Sequence, residues 1–133
     1  MPTIEAGPNV LLADTVGAAG ARCIIKRTLR KMQIQPSGGP ETYIGWFVAH
    51  PWACTVGIEW TIESSARAWT RGNNSGDSDT LAREEANCAR LRSHVETLMA
   101  AIGVAMDWPG LYPTYRLNGR GYYSLGDLWA AMK

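Results

Sequence analysis

The chain has 133 residues, with 13 basic and 12 acidic side chains and a net charge of +1 at pH 7. That length fits one domain rather than two, and a chain of this size buries roughly two-thirds of the surface its unfolded form exposes, so its core needs no metal or disulfide staple. Near-neutral charge argues against sequence-blind attraction to nucleic acid or anionic membranes, and any anion site must therefore be local.

Met1 to Val16 lacks a basic stretch and carries Glu5 and Asp14, and its apolar run Val10 to Ala13 is too short for a signal peptide. The next apolar stretch, Leu98 to Met106, is about half of what a bilayer requires. The expectation is a soluble, cytoplasmic chain without a membrane partner. Residues 1–20, with Gly7, Pro8, Gly17 and Gly20, read as an irregular lead-in. From Ala21 to Met32 the basic residues Arg22, Lys26, Arg27, Arg30 and Lys31 fall on one arc of a helix, and Ile24, Ile25, Leu29 and Met32 on the other. The same stretch also suits a strand through Ile24, Ile25, Thr28 and Ile34. Gln35 to Pro40 then breaks whatever precedes it.

Thr42 to His50, apolar on both faces, predicts a strand covered on both sides. After Pro51, residues Ala53 to Glu63 alternate: Cys54, Val56, Ile58, Trp60 and Ile62 on one face, Thr55, Gly57, Glu59, Thr61 and Glu63 on the other. The short connection predicts antiparallel pairing of the two strands. Continued past Glu63, the second strand would set Arg67, Trp69 and Arg71 side by side on its wet face.

Gly72 to Asp77 reads as a loop, with Asp77, Ser78 or Asp79 capping a helix over about Asp79 to Ile102 that stops at Gly103. Its apolar residues Leu81, Cys88, Leu91, Val95, Leu98 and Ile102 follow heptad spacing, with a polar default at Glu84. At 1.5 Å per residue this helix is roughly 36 Å long, so its seam can pack on the sheet or join a second copy into an oligomer. Asp107 to Gly110 is a turn. Asn118-Gly119 predicts a two-residue hairpin in which Leu117 faces Arg120 and Tyr115 faces Tyr122. Ser124 with Asp127 predicts a cap opening a short helix through Leu128, Trp129 and Met132. The fold class expected is α+β in one domain over 1–133: a sheet built from residues 21–71, packed with the long helix at about 79–102, then a small hairpin and a C-terminal helix.

Recognisable catalytic motifs are absent, and Cys23, Cys54 and Cys88 form no C-x-x-C pair, so neither a zinc site nor a disulfide framework nor a cofactor is expected. His50 and Cys54 are four apart, the makings of a reactive thiolate, but Cys54 sits in the apolar pattern and reads as a buried thiol. The two carboxylates Glu59 and Glu63 would stand about 13 Å apart on a strand, too far for a hydrolytic pair.

The aromatic set is unusual, with six Trp and five Tyr against one Phe. Side chains with a polar handle favour interfaces and ligand sites. Guanidinium groups bind phosphate or carboxylate through two parallel hydrogen bonds, and indole or phenol rings stack on planar groups. Arg67, Trp69 and Arg71, with Tyr115, Arg116, Arg120 and Tyr122 of the hairpin, therefore suggest a site for a nucleotide-like or other anionic planar ligand. The basic face from Arg22 to Lys31 is a second candidate for contacting phosphate. The function expected is a non-enzymatic binding protein, oligomeric through the helix seam, of the kind a virus or mobile element uses to sequester or inhibit. The alternatives are an interaction or assembly subunit whose aromatics are interface hot spots, and a small enzyme with an unrecognised site.

Overall fold

The computed structural model describes residues 17–35 and 40–133, so the lead-in over 1–16 and most of the break after Gln35 lie outside the described residues. Helix α1 (Ala18–Lys31) buries Ala18, Ala21, Ile24, Ile25 and Leu29 and turns its cations to solvent. This decides the 21–32 segment for a helix, and Ala18 to Gly20, expected in the lead-in, form its first turn. It ends where Gln33 takes a left-handed φ of 59° and the Ile34 amide reaches back to the Leu29 carbonyl at 2.9 Å.

The two strands expected at 42–50 and 53–71 are helices. Helix α2 (Pro40–Ala49) is apolar nearly all round, and buries Ile44 and Phe47 while Tyr43 and Trp46 are half-buried. An element apolar on every side suits a buried helix as well as a covered strand, and periodicity alone does not separate them. A 3-10 turn (Pro51–Cys54) follows, and then α3 (Thr55–Asn74).

In α3 the alternation over 53–63 resolves into two helical stripes spaced by four. Cys54, Ile58 and Ile62 are buried, whereas Val56 and Trp60 face water at 69% and 53% exposure. Residues two apart lie about 200° around a helix axis, so an apolar residue at every second position produces two apolar faces on opposite sides. The sheet expected from the first half of the chain is therefore not formed among the described residues, where 21–71 consists of helices joined by short connections at 32–35 and at His50.

Helix α4 (Ser78–Ala100) matches expectation closely. Asp77 caps it, accepting the Thr80 amide at 3.2 Å and the Thr80 hydroxyl at 2.6 Å. Gly103, at φ +76°, stops it with the Val104 amide on the Met99 carbonyl at 3.1 Å. Helices α3 and α4 form a tight antiparallel hairpin. Ser65, Ala66, Ala68 and Gly72 line the α3 side, and a Cβ on Gly72 would stand 3.0 Å from that of Glu84. Helix α1 crosses the pair, with Gly57 of α3 passing close to Ile24 and Gly20 passing close to the His94 ring.

The sheet lies in the last third of the chain: β1 (Ala105–Asp107), β2 (Thr114–Leu117) and β3 (Arg120–Tyr122), antiparallel in the order β1-β2-β3. Tyr115 pairs with Tyr122 and Leu117 with Arg120 around Asn118 and Gly119, both at positive φ, as the Asn-Gly turn requires. Ser124 accepts the Asp127 amide at 3.1 Å and opens α5 (Leu125–Ala131). Trp129 docks this last helix on the start of α3 by donating its indole N–H to the Thr55 hydroxyl at 2.8 Å. The architecture is thus mixed α+β, with helices predominating and one core built from α1, α2, α3, α4, the sheet and α5. No described helix is long and apolar enough to cross a membrane.

Candidate functional site

The seven residues expected to form one ligand site are dispersed by the helical α3. Arg67 and Arg71, four apart, share a side of that helix, and Trp69 lies about 200° around the axis from each. Arg71 is committed to Glu84 of α4 at 3.1 Å, and Arg67 donates to the Ser64 hydroxyl at 3.0 Å beside Tyr112. Tyr112 hydrogen-bonds Glu63, which raises its phenol pKa. On the hairpin, Arg116 pairs with Asp107 at 2.9 Å, and Arg120 is exposed near the turn. Tyr115 is buried, which with the nearby Glu59 pushes its phenol up to about 12, and Tyr122 packs half-buried against the core. None of the seven lines either of the depressions described below.

The heptad-spaced residues of the long helix are largely used inside the chain. Cys88, Val95 and Leu98 are buried, with Leu81, Leu91 and Ile102 half-buried. The seam serves the packing of α4 on α3 and α1.

The cysteine and histidine pair shows no activated nucleophile. Cys54 is fully buried beside Thr28, and burial pushes its thiol up to about 11, so it is protonated near neutrality. His50 instead has Trp46 and Trp52 as ring neighbours, at centroid distances of 5.5 and 5.8 Å. His94 packs beside Gly20, where burial and then Arg90 lower its pKa. Among the described residues no three His, Cys, Asp or Glu side chains cluster as a metal site would.

The surface that does converge lies along α1. Four of its five cations fall into two i,i+4 pairs, Arg27 with Lys31 and Lys26 with Arg30, each bordering a depression. The larger depression, about 440 Å³, runs between α1 and α3; Ile24, Thr28 and Met32 line one wall, and Val56, Gly57 and Trp60 the other. The second, about 340 Å³, lies on the other side of α1 against Tyr43 of α2. Each holds a cation over an aromatic ring: Arg27 over Trp60 and Lys26 over Tyr43, both at 5.6 Å from the centroid.

The α1–α3 groove is apolar within and cationic at its α1 edge. Met32, Val56 and Trp60 are about half exposed or more around it. No acidic side chain lines it. The ion pairs among the described residues join Arg71 to Glu84 and Arg116 to Asp107, which leaves Arg27 and Lys31 without an acidic partner among them. Helix α1 carries five cations and no anion, whereas the rest of the chain holds eight basic and twelve acidic residues. The near-zero net charge thus conceals a strongly basic ridge on an otherwise acidic chain.

Reading the sequence did mark the cations of 22–31, but it missed Val56 and Trp60 as surface residues because the strand assignment placed both on the face of Ile58. The overlooked signal is the length of that alternation. A strand from Ala53 to Arg71 would run far beyond the usual five or six residues, whereas a helix of that length is ordinary.

No family model matches the chain, nor does any curated protein or solved structure.

Proposed function

We propose that the chain is a non-enzymatic binding protein whose recognition surface is the groove between α1 and α3. One observation carries the reading: Val56, Trp60 and Met32 stand in water around a concavity edged by Arg27 and Lys31, although α1 buries Ile25 and Leu29 and α3 buries Ile58 and Ile62. Exposed large apolar residues gathered around a concave, polar-rimmed patch mark an interaction site, and Trp and Arg are the residues that most often dominate binding energy. The arginine and aromatic chemistry expected from the sequence is retained, at Arg27 and Trp60 rather than at Arg67, Trp69 and Arg71. The reading asks for no second copy, since Cys88, Val95 and Leu98 are used within the chain.

Two occupant classes fit this reading. A protein segment is favoured by the apolar walls. An anionic planar ligand is favoured by the cation-π pair and by a volume within the range of small-ligand pockets, about 300 to 1,000 Å³. Screening a nucleotide panel and a displayed peptide library against the wild type and Trp60→Ala tests the proposal. A saturable ligand lost in the variant is expected; if every ligand recovered binds both proteins equally, the groove is not the recognition surface.

A further inference from the structure

Resting on the reading that this groove is the recognition surface, we infer that its occupant is an acidic amphipathic helix of a protein partner. The shape of the groove suits a helix. A trough between two helices accepts the side-chain ridge of a third. From Ile24 to Met32 it extends about 12 Å along α1, two helical turns, which corresponds to anchors at i, i+3 or i+4, and i+7 on an incoming helix. The absence of a side chain at Gly57 keeps the α3 wall low between Val56 and Trp60, and the small Ala53 and Thr61 line the groove to either side of that stretch.

Its hydrogen-bonding groups disfavour a nucleotide. A nucleotide needs donors for its phosphates and for its base edges. The two hydroxyl groups in the groove are committed to their own helices, Thr28 donating to the Ile24 carbonyl at 3.0 Å and Thr61 to the Gly57 carbonyl at 2.8 Å. The interior therefore rewards apolar contact rather than polar recognition. Donors remain at the edge, where Arg27 and Lys31 stand one helical turn apart, a spacing that meets carboxylates at i and i+4 on the occupant.

Charge selects the sign of the occupant. With no anion in the lining and α1 bearing five unopposed cations within its own sequence, a basic segment is repelled and an acidic one is steered in. A nucleic acid would meet this ridge but then lie over a chain whose remainder is net acidic, with its phosphates facing apolar walls. A lipid surface is flat, whereas Val56 and Trp60 face α1 across a trough.

The experiment is selection of displayed amphipathic helical peptides, with every polar position randomised, on the wild-type protein. Enriched sequences are expected to carry Asp or Glu in excess, spaced by four along one flank of the apolar stripe. Synthesised, they should lose at least tenfold in affinity for the Arg27→Glu, Lys31→Glu double variant, whose thermal midpoint serves as the folding control. Enriched peptides that need Trp60 but show no acidic excess, or that bind the double variant equally, overturn the inference and leave the groove as the recognition surface. Selection that yields no Trp60-dependent peptide overturns it too, and the nucleotide panel then decides whether the groove binds anything. Sedimentation with phosphatidylglycerol vesicles that is lost in the double variant would assign the groove to a lipid headgroup. Self-association lost on Val56→Asp would assign it to a second copy of this chain. Either result is incompatible with the acidic helix.

Discussion

Helix α3 has two apolar edges, and the chain treats them in opposite ways. Toward α4 it presents small residues, Ser65, Ala66, Ala68 and Gly72, which let the two backbones approach until little space remains. Toward the outer side of α1 it presents Val56 and Trp60, which stay more than half exposed although the Arg27 guanidinium lies over the Trp60 ring. The first edge is built for stability and the second leaves apolar area in water, about 25 cal/mol of unfavourable exposure for each Å² that a partner could remove. If the exposed edge is where a partner binds, as proposed, one helix separates folding from recognition at the level of single positions.

The largest effect that can test this separation comes from neighbours along the sequence. Ile58 is fully buried, so Ile58→Ala should cost about 2–5 kcal/mol in denaturant titration through lost transfer energy and a cavity. Val56→Ala, two residues away, should stay within about 0.5 kcal/mol. Equal losses at the two positions would restore the single apolar face of the strand reading and abolish the groove.

The next effect lies on the α4 side. Glu84 is 9% exposed and its carboxylate is held by Arg71 at 3.1 Å. Arg71→Ala leaves that carboxylate almost dry and unpaired, at a cost of roughly 1–3 kcal/mol, and adding Glu84→Gln should return part of it. A double-mutant cycle measures the coupling. An additive cycle would mean that Arg71 is free for an anionic ligand, as its place in the sequence had suggested.

A smaller effect appears at the start of α4. The Thr80 hydroxyl, followed by the Thr80 amide, lowers the Asp77 pKa below its ordinary value. Because the folded-state value is depressed, the stabilisation is present above the unfolded value near 3.9 and is lost as pH falls through and below it. The difference in thermal midpoint between wild type and Asp77→Ala should be constant above about pH 5 and shrink below about pH 4. A difference unchanged down to low pH would show that the cap does not act through its charge.

How much of this was legible depends on how local each signal is. The Tyr115–Tyr122 pairing, the Ser124 cap, the Asp77 cap and the Gly103 stop all rest on interactions within a few residues, and each is found where its sequence signature places it. The first half of the chain was misread because Cys54 to Ile62 satisfies two periods at once: apolar at every second position, and apolar at every fourth on two faces. Local pattern cannot choose between these; tertiary packing does, by burying Ile58 against α1 and leaving Trp60 outside. The arrangement expected of Arg67, Trp69 and Arg71 depended on a strand and is dispersed by the helix that forms there. Arg27 and Trp60, far apart in sequence, meet only because Gly57 lets α1 and α3 approach closely.

The smallest effect on stability should coincide with one of the largest on binding. Val56 is 69% exposed and lies in the first turn of α3, where a carboxylate is favoured by the helix dipole. Val56→Asp should therefore shift the unfolding free energy by no more than about 0.5 kcal/mol. In the groove it replaces an apolar contact on the α3 wall by a carboxylate that the occupant's apolar stripe would have to bury, so affinity for a selected peptide should fall at least tenfold. In the free protein that carboxylate is solvated at a helix N-terminus, whereas the complex would desolvate it. A variant that folds as well as the wild type and no longer binds places recognition on the exposed edge of α3, whereas one that binds unchanged removes that edge from the site.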